Sequence, residues 1–279
     1  MLVRLFQLLS HLPLHWLHRL GVALGWLVYL LTPSYRLRLQ ENLHRGGYSA
    51  LRGAAIAEAG KSLLELAFVW CAPPQRVLRT VQIDDWAVAQ TALDSGRGVI
   101  FLTPHLGCFE IIAQVIAARV PLTALYRAPR KSALKTLIEG ARSRANLILA
   151  PADLGGVRAL LRALKSGAAI GLLPDQVPQN GEGVWADFFG TPAYTMTLPA
   201  KLQRMTGAIV ILSYAQRLPG GKGFVVRFVP CPPLEGESPQ QQARVLNGAM
   251  EKLIGCCPAQ YFWSYNRFKT PAGVRKDPA

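Results

Sequence analysis

The sequence predicts an α/β fold in which a mostly parallel sheet is covered by helices on both faces. Short apolar runs rich in β-branched residues alternate with amphipathic helical segments over most of the chain. This alternation is typical of parallel sheets. Polar residues also follow several of the predicted strands directly. In open α/β sheets the carboxyl ends of the strands form the edge where ligands bind.

The composition favours a protein that works beside a membrane or an anionic partner. The 279 residues suffice for one sizeable domain with additional elements. Only 17% of residues are charged, and 31 Lys and Arg against 16 acidic residues give a net charge of +15. Such a charge suits nucleic acid, phospholipid headgroups or phosphorylated substrates. The five cysteines include no metal-type CxxC pair, which favours reduced thiols in the cytosol.

Residues 1–33 predict a hydrophobic membrane anchor that is not cleaved. The uninterrupted apolar run, residues 20–31, is shorter than the ~20 residues of a spanning helix. We therefore expect an interfacial helix or a short tilted span, and Trp16, Trp26 and Tyr29 favour the headgroup level. The alternative is an amphipathic helix packed into the domain itself. Four arginines that would rest against anionic lipid come next: Arg36, Arg38, Arg45 and Arg52.

Residues 34–279 predict the main domain, with a helical lead-in over 34–75 and a catalytic core over 76–279. The predicted helices cover residues 49–70, 84–95, 111–117, 154–165, 194–206 and 239–254. The predicted strands cover residues 99–102, 121–126, 146–150, 168–173, 208–215 and 224–229. Residues 177–190 are expected to form a long loop, and residues 218–223 a glycine-rich turn.

Residues 98–110 carry the first candidate site. An apolar strand ends at Pro104, the chain turns through Gly107, and a helix starts near Glu110. His105 is thus expected at the carboxyl edge of the sheet, where the turn lets it converge with Glu110. A carboxylate beside an imidazole orients it and raises its basicity, as a general base requires. A structural histidine with a satisfied hydrogen bond is the competing interpretation.

Two further strand ends bring polar residues to the same edge. Arg127 follows one strand, and with Arg130 it belongs to a basic cluster that suits a phosphate group. Asp175 and Gln176 follow another strand, and Asp175 is placed to bind a hydroxyl or to orient a second side chain. A divalent metal held by His105, Glu110 and Asp175 is a weaker alternative, because the sequence offers no further ligand.

Aromatic residues beside glycine in the long loop are the last candidates. Phe188, Gly190 and Thr191 would wall an apolar slot for an acyl chain, or else pack in the core. Cys108 is expected to be a small buried filler. The chain contains no Gly-x-Ser-x-Gly elbow, Walker A loop or Gly-x-Gly-x-x-Gly fingerprint, which argues against serine hydrolases, P-loop enzymes and Rossmann dehydrogenases.

The ordered set of these motifs resembles one family. His105 to Glu110, HLGCFE, resembles the H-x-x-x-x-[DE] motif of the glycerolipid and lysophospholipid acyltransferase superfamily. The whole chain resembles the bacterial lipid A late acyltransferases of the lauroyl and myristoyl type. The supporting stretches are Glu41-Asn42-Leu43, Leu173-Pro174-Asp175-Gln176, Phe188-Phe189-Gly190-Thr191-Pro192 and residues 258–269, PAQYFWSYNRFK.

The resemblance implies an αβα sandwich anchored at the cytoplasmic face of the inner membrane. It implies transfer of a fatty acyl chain from acyl carrier protein, or from coenzyme A, to a hydroxyl of a lipid A precursor, without a cofactor or metal. The family motif that they match implies that His105 is the general base and Glu110 its orienting partner. Arg127 matches the block that contacts acceptor phosphate, and Asp175 and Gln176 match the block near the acceptor.

Departures from the family pattern leave the acceptor open. The basic stretch after Tyr126 lacks the asparagine-containing run of many members, so a lysophospholipid or an ornithine-type lipid is an alternative acceptor. A noncatalytic lipid-binding function is a further alternative, which would explain the charge and the anchor but would assign no role to His105 and Glu110. Nucleic-acid binding would explain the charge, but no recognition motif supports it, and we expect no such partner.

Overall fold

The structure, a computed structural model, describes residues 2–126, 140 and 146–275. The helices within these ranges are α1 Leu2–Ser10, α2 Leu14–Leu31, α3 Pro33–Arg45, α4 Arg52–Cys71, α5 Pro74–Leu78, α6 Trp86–Asp94, α7 Glu110–Ala117, α8 Leu154–Lys165, α9 Leu198–Thr206 and α10 Pro239–Gly255. The strands are β1 Val81–Asp84, β2 Val99–Leu102, β3 Leu122–Tyr126, β4 Leu147–Pro151, β5 Ala169–Leu172, β6 Gly183–Phe188, β7 Thr191–Met196, β8 Ile209–Arg217 and β9 Phe224–Pro230.

Seven strands form one sheet in the order β1-β9-β8-β2-β5-β3-β4. Every neighbouring pair is parallel except β8 and β9, which form an antiparallel hairpin. The prediction of a mostly parallel sheet is therefore confirmed. Strand β2 lies between β8 and β5, and Val99 is aligned with both Ile209 and Ala169. The carboxyl ends of β2 and β5 consequently meet at one edge.

Two apolar cores cover the faces of this sheet, as an αβα sandwich requires. Ile100 and Leu102 of β2 pack into the core that includes α8 and α10. Val99 and Phe101 alternate to the opposite face and join the core formed with α4, α6 and α7. All four side chains are fully buried, each contributing about 1.5–3 kcal/mol of burial energy. The central strand is thereby fixed from both sides.

The hydrophobic amino terminus is divided into two helices. Helix α1 ends before Pro13, and α2 then continues to Leu31; both pack against α4. Among the described residues, α2 is the helix long and apolar enough to cross a membrane by length and composition, with a mean hydropathy of 1.2. A third of it is buried inside the fold. The lead-in to the core is helical and consists of α3, α4 and α5.

Two predictions about chain segments were wrong. The loop expected over 177–190 contains strand β6, which pairs antiparallel with β7 across the turn at Phe189 and Gly190. The helix expected from residue 194 begins at Leu198, because Tyr194 and its neighbours belong to β7. Val184, Trp185 and Tyr194 of this hairpin are β-branched or aromatic residues, which are enriched in strands. The short edge strand β1 was not predicted.

Candidate active site

His105 lies at the carboxyl edge of the sheet, where the strand–turn–helix prediction placed it. Gly107 has a φ of +62° and approaches the β8 backbone so closely that a Cβ there would overlap the carbonyl oxygen of Ala215. The neighbouring Cys108 N–H donates to that same oxygen over 2.9 Å. Only glycine combines this conformation with this approach. After this turn, helix α7 begins at Glu110.

Asp175 holds His105 by two contacts. Its Oδ2 accepts the backbone N–H of His105, and its Oδ1 lies 2.9 Å from Nδ1 of the ring. Burial would raise the pKa of this carboxyl, but the adjacent His105 and its hydrogen bonds lower it below its ordinary value. An ionised carboxylate only accepts hydrogen bonds, so in the neutral imidazole Nδ1 carries the ring hydrogen and Nε2 has the lone pair.

One polar and two aromatic side chains are close neighbours of the His105 ring. Gln176 places its Nε2 at 3.4 Å from Nε2 of His105. The ring of Phe109 lies 4.4 Å from the imidazole by centroids, and that of Phe262 lies 6.1 Å away, nearly parallel. The His105 side chain is 13% exposed. It is therefore held in a fixed orientation and still reached from outside.

Glu110 is the first residue of α7, and its Oε2 accepts a hydrogen bond of 3.0 Å from the indole N–H of Trp70. That Glu110 orients His105 stays a prediction. In the structure the contact with Nδ1 is made by Asp175, which follows the neighbouring strand β5. The sequence had predicted that Asp175 binds a hydroxyl or orients a second side chain, without naming His105 as that side chain. Among the described residues, no group of three His, Cys, Asp or Glu side chains is arranged to hold a metal ion.

A cleft with about 570 Å³ of empty space, part of it open to solvent, runs from Glu110 between α7 and the sheet. Glu110 and Thr103 are polar residues at the carboxyl edge of the sheet. The remaining lining is apolar and comes from β2, β3, β4, β5 and α7, with these side chains prominent: Phe101, Ile112, Ile116, Leu122, Leu147 and Leu149. A concave site with an apolar wall and few polar groups is typical of ligand sites.

The remaining predicted site residues lie elsewhere or outside the described ranges. Phe188 is 1% exposed and belongs to an aromatic cluster with Tyr261 and Phe268, which matches the core-packing alternative. Gly190, with φ +67°, and Thr191 form and follow the turn of the β6–β7 hairpin. None of these three lines the cleft, so their role in substrate binding stays a prediction. Arg127 and Arg130 lie outside the residues that the structure describes.

The carboxyl-terminal segment supplies residues of the site that the sequence analysis missed. The backbone N–H of Phe262 donates to the carbonyl oxygen of His105, and Gly107 N–H donates to that of Gln260, both over 3.0 Å. The buried Tyr261 side chain lies close to Asp175, and burial together with this carboxylate raises the pKa of its phenol well above the ordinary value. The aromatic density of residues 258–269 was the available signal.

A buried arginine completes this cluster. Arg267 donates to the carbonyl oxygen of Tyr194 over 2.8 Å and to the hydroxyl of Thr195 over 2.7 Å. Burial lowers the pKa of its guanidinium, while the charge of Asp175 and the phenols nearby oppose that effect. The positive charge of Arg267 thus lies close enough to interact with the Asp175 carboxylate.

The chain matches proteins of one family along nearly its whole length. The family model described as bacterial lipid A biosynthesis acyltransferase matches residues 1–270. The lipid A biosynthesis lauroyltransferase of Escherichia coli K12 is 25% identical over 293 aligned positions, which cover 94% of each chain. The palmitoleoyltransferase of the same organism is 28% identical over 218 positions, covering 77% of this chain and 70% of that protein.

A lipid A biosynthesis acyltransferase of Haemophilus influenzae is 26% identical over 191 positions, covering 67% of this chain and 58% of that protein. The resemblance that the motifs indicated is therefore confirmed, and with it the prediction of an O-acyltransferase. With its αβα core and the His105 turn at the sheet edge, the chain belongs to the bacterial lipid A biosynthesis acyltransferase family.

Proposed function

We propose that the protein transfers a fatty acyl chain from a thioester, carried by acyl carrier protein or coenzyme A, to a hydroxyl of a lipid A precursor, with His105 as general base. One observation carries the proposal. The buried Asp175 carboxylate lies 2.9 Å from Nδ1 of His105, which makes Nε2 the ring nitrogen that would take up a proton at the sheet edge. The tautomer with hydrogen on Nδ1 is the one that a base abstracting a hydroxyl proton needs.

The proposed reaction has two proton transfers, both through Nε2. The acceptor hydroxyl gives its proton to Nε2 while its oxygen attacks the thioester carbonyl, which becomes a tetrahedral oxyanion. When this intermediate collapses, the C–S bond breaks and the imidazolium returns its proton to the leaving thiolate. Asp175 stabilises the imidazolium that exists between the two steps, and this is the function of its buried charge.

The cleft beside Glu110 is proposed to receive the acyl chain of the donor. Its apolar walls remove the chain from water, and each buried methylene contributes about 0.8 kcal/mol. Glu110 and Thr103 lie at its polar end, at the same sheet edge as His105. The thioester carbonyl of a donor bound this way would lie at that edge. We propose Glu110 as a second positioning group there, and Arg127 and Arg130 as contacts to acceptor phosphate.

The location that fits this reaction is the cytoplasmic face of the inner membrane. The apolar amino-terminal helices suit a bilayer that holds the acceptor, and the charge of +15 suits both a phosphorylated lipid and an acidic carrier protein. The relatives named as lauroyl- and palmitoleoyltransferases indicate fatty acyl donors in this family. A lysophospholipid or an ornithine-type lipid remains the alternative acceptor.

Purified enzyme, a radiolabelled acyl donor and a lipid A precursor test the proposal. We expect His105→Ala to lower kcat by about 10²–10⁴-fold, the usual contribution of a general base, without changing the circular dichroism spectrum. His44→Ala is the matched control, because His44 is exposed on α3. Wild-type transfer by His105→Ala would refute the mechanism. Lipid binding without any transfer by the wild-type chain would favour the noncatalytic alternative.

A further inference from the structure

The buried face of α2 is in backbone contact with α4 along its middle. A Cβ at Gly21 would approach the carbonyl oxygen of Gly60 to 2.8 Å, and a Cβ at Gly25 would overlap that of Ile56. The two helices thus approach as closely as small residues allow. Helix α4 carries Glu58, Lys61 and Glu65, so it does not have the composition of a membrane-crossing helix.

A buried ionic cluster joins α2, α4 and the sheet. His18 of α2 lies 3.3 Å from Glu65 of α4 through its Nε2. Glu65 also accepts a hydrogen bond of 2.7 Å from Nε of Arg217, at the end of β8. All three side chains are at least 94% buried in the fold. Separation of α2 from α4 would break the contact between His18 and Glu65 and remove one partner from a buried carboxylate, which is unfavourable.

Both ends of α2 are bound to the same folded body. At the amino end, Arg76 donates to the carbonyl oxygens of Ser10 over 2.8 Å and of His11 over 3.2 Å. At the carboxyl end, Tyr29 packs in the core with Leu39 and its hydroxyl accepts a hydrogen bond of 2.7 Å from Gln40. A helix that crosses a bilayer places its ends on opposite sides, about 30 Å apart across the hydrocarbon.

The outer face of α1 and α2 is apolar and lies in a basic part of the chain. Its exposed side chains are between 41% and 72% accessible, and they are Leu5, Leu8, Trp16, Leu20, Trp26, Leu27, Leu30 and Leu31. Arg19 stacks over Trp16 at 5.0 Å, and Glu41 is the single carboxylate in residues 1–57 of the sequence. An apolar face flanked by cations and poor in carboxylates matches a surface of anionic lipid.

We infer that α1 and α2 lie in the plane of the membrane, with this outer face immersed in one leaflet, and that neither helix crosses the bilayer. This inference rests on the proposed membrane association and adds its geometry. It leaves residue 2 on the same side as the active site. It also preserves the contact of Phe6 with Trp70, whose rings stack 5.9 Å apart, and hence the bond from Trp70 to Glu110. The lipid-immersed helices would thus adjoin the reaction cleft.

A topology experiment on the full chain tests the inference. We place one epitope tag before Met1 and a second after Ala279, and we digest inner-membrane vesicles of known orientation with a protease that does not cross lipid. We expect both tags to be lost in the same vesicles, without detergent. Loss of the carboxyl-terminal tag alone, with the amino-terminal tag protected until detergent is added, would overturn the inference and establish a spanning helix.

Binding to vesicles of phosphatidylethanolamine and phosphatidylglycerol tests the immersed face. We expect Leu27→Glu with Leu30→Glu to lower the vesicle-bound fraction at least about tenfold, because two leucines no longer enter lipid. Met205→Glu, at a residue on α9 that is 59% exposed, is the control and should bind like wild type. Equal binding by all variants would overturn the inference. A wild-type dimer that the double variant dissociates would also overturn it, because a second copy of the chain would then cover the apolar face.

The outcomes separate this inference from the proposed function. A wild-type chain that binds no vesicles would refute both the in-plane geometry and the membrane association. A chain that binds vesicles and loses both tags together, while His105→Ala keeps full transfer activity, would support the geometry and refute the proposed mechanism.

Discussion

Asp175 binds His105 at both its backbone and its ring, with each carboxylate oxygen 2.9 Å from a nitrogen of that residue. The first contact fixes the turn that carries the histidine, and the second fixes the tautomer of its ring. Asp175 is 2% exposed, so water does not compete for either contact. A single side chain thereby sets both the position and the protonation of the proposed base.

We expect Asp175→Asn to lower kcat by about 10²–10⁴-fold with an unchanged fold, since an amide neither stabilises the imidazolium nor enforces hydrogen on Nδ1. The change keeps the shape of the side chain. Steady-state transfer with a saturating donor measures it, and thermal unfolding checks the fold. Asp94→Asn, at an exposed residue of α6, is the matched control. A variant within about threefold of wild type would show that Asp175 does not support the base.

Tyr261→Phe removes one hydroxyl close to the Asp175 carboxylate. We expect the acid limb of the kcat/KM profile to move to higher pH, because a carboxylate without this polar neighbour holds the imidazolium proton more tightly. The rate at the pH optimum should fall by about tenfold or less. Tyr214→Phe, at a buried residue of β8, should leave the profile in place. A lower rate with an unmoved acid limb would indicate a packing role only.

Ala113→Phe narrows the cleft from its helical wall. If the cleft holds the acyl chain, kcat/KM should fall most for the longest donors, by about fourfold for each methylene that no longer enters. Competition between donors of different chain length, followed by mass spectrometry of the product, measures this. Ala118→Phe, at the exposed end of α7, is the control. An equal loss for all chain lengths would place the acyl chain outside this cleft.

Glu65→Gln probes the ionic cluster beneath α2. Burial would raise the pKa of Glu65, but Arg217 and His18 lower it from 4.5 to about 2. A lowered folded-state pKa means that this carboxylate stabilises the fold above pH 4.5 and that the stability is lost as the pH falls toward 2. At pH 7 we expect the variant to lose about 3–5 kcal/mol of unfolding free energy, since it leaves Arg217 without its partner.

Urea unfolding of this variant and of Glu41→Gln, at an exposed residue of α3, provides the comparison. The difference between Glu65→Gln and wild type should shrink between pH 4.5 and the lowest pH at which both fold. A difference that does not depend on pH would assign the loss to packing and not to charge.

The parts of the site that depend on short-range patterns could be predicted from the sequence. Strand β2 is a continuous apolar run, and Pro104 and Gly107 end it with a turn, so the position of His105 followed from residues close to it. Helix α8 was predicted with its observed bounds, with Gly167 as its stop, and in the structure Asp153 also caps its first turn by accepting from Gly156 N–H. These are local signals in which propensity and packing favour the same structure.

The partner of His105 could not be predicted in the same way. Asp175 is 70 positions away, and it reaches Nδ1 because β5 is hydrogen-bonded to β2, a pairing that no local pattern specifies. Tyr261 is still further along the chain. Strand β6 was predicted as part of a loop because Gly181, Gly183 and Gly190 interrupt the sequence there, although cross-strand pairs such as Trp185 with Tyr194 stabilise the β6–β7 hairpin.

The two backbone hydrogen bonds that join Gln260 and Phe262 to the His105 turn have a consequence for biosynthesis. The ribosome makes residues 260–262 long after the turn, so a nascent chain carries the proposed base for roughly ten to thirty seconds before these hydrogen bonds can form. An incomplete polypeptide would lack these two hydrogen bonds to the His105 turn and would be inactive. Transfer competence would thus arise only after residues 260–262 have been made and have folded onto the turn.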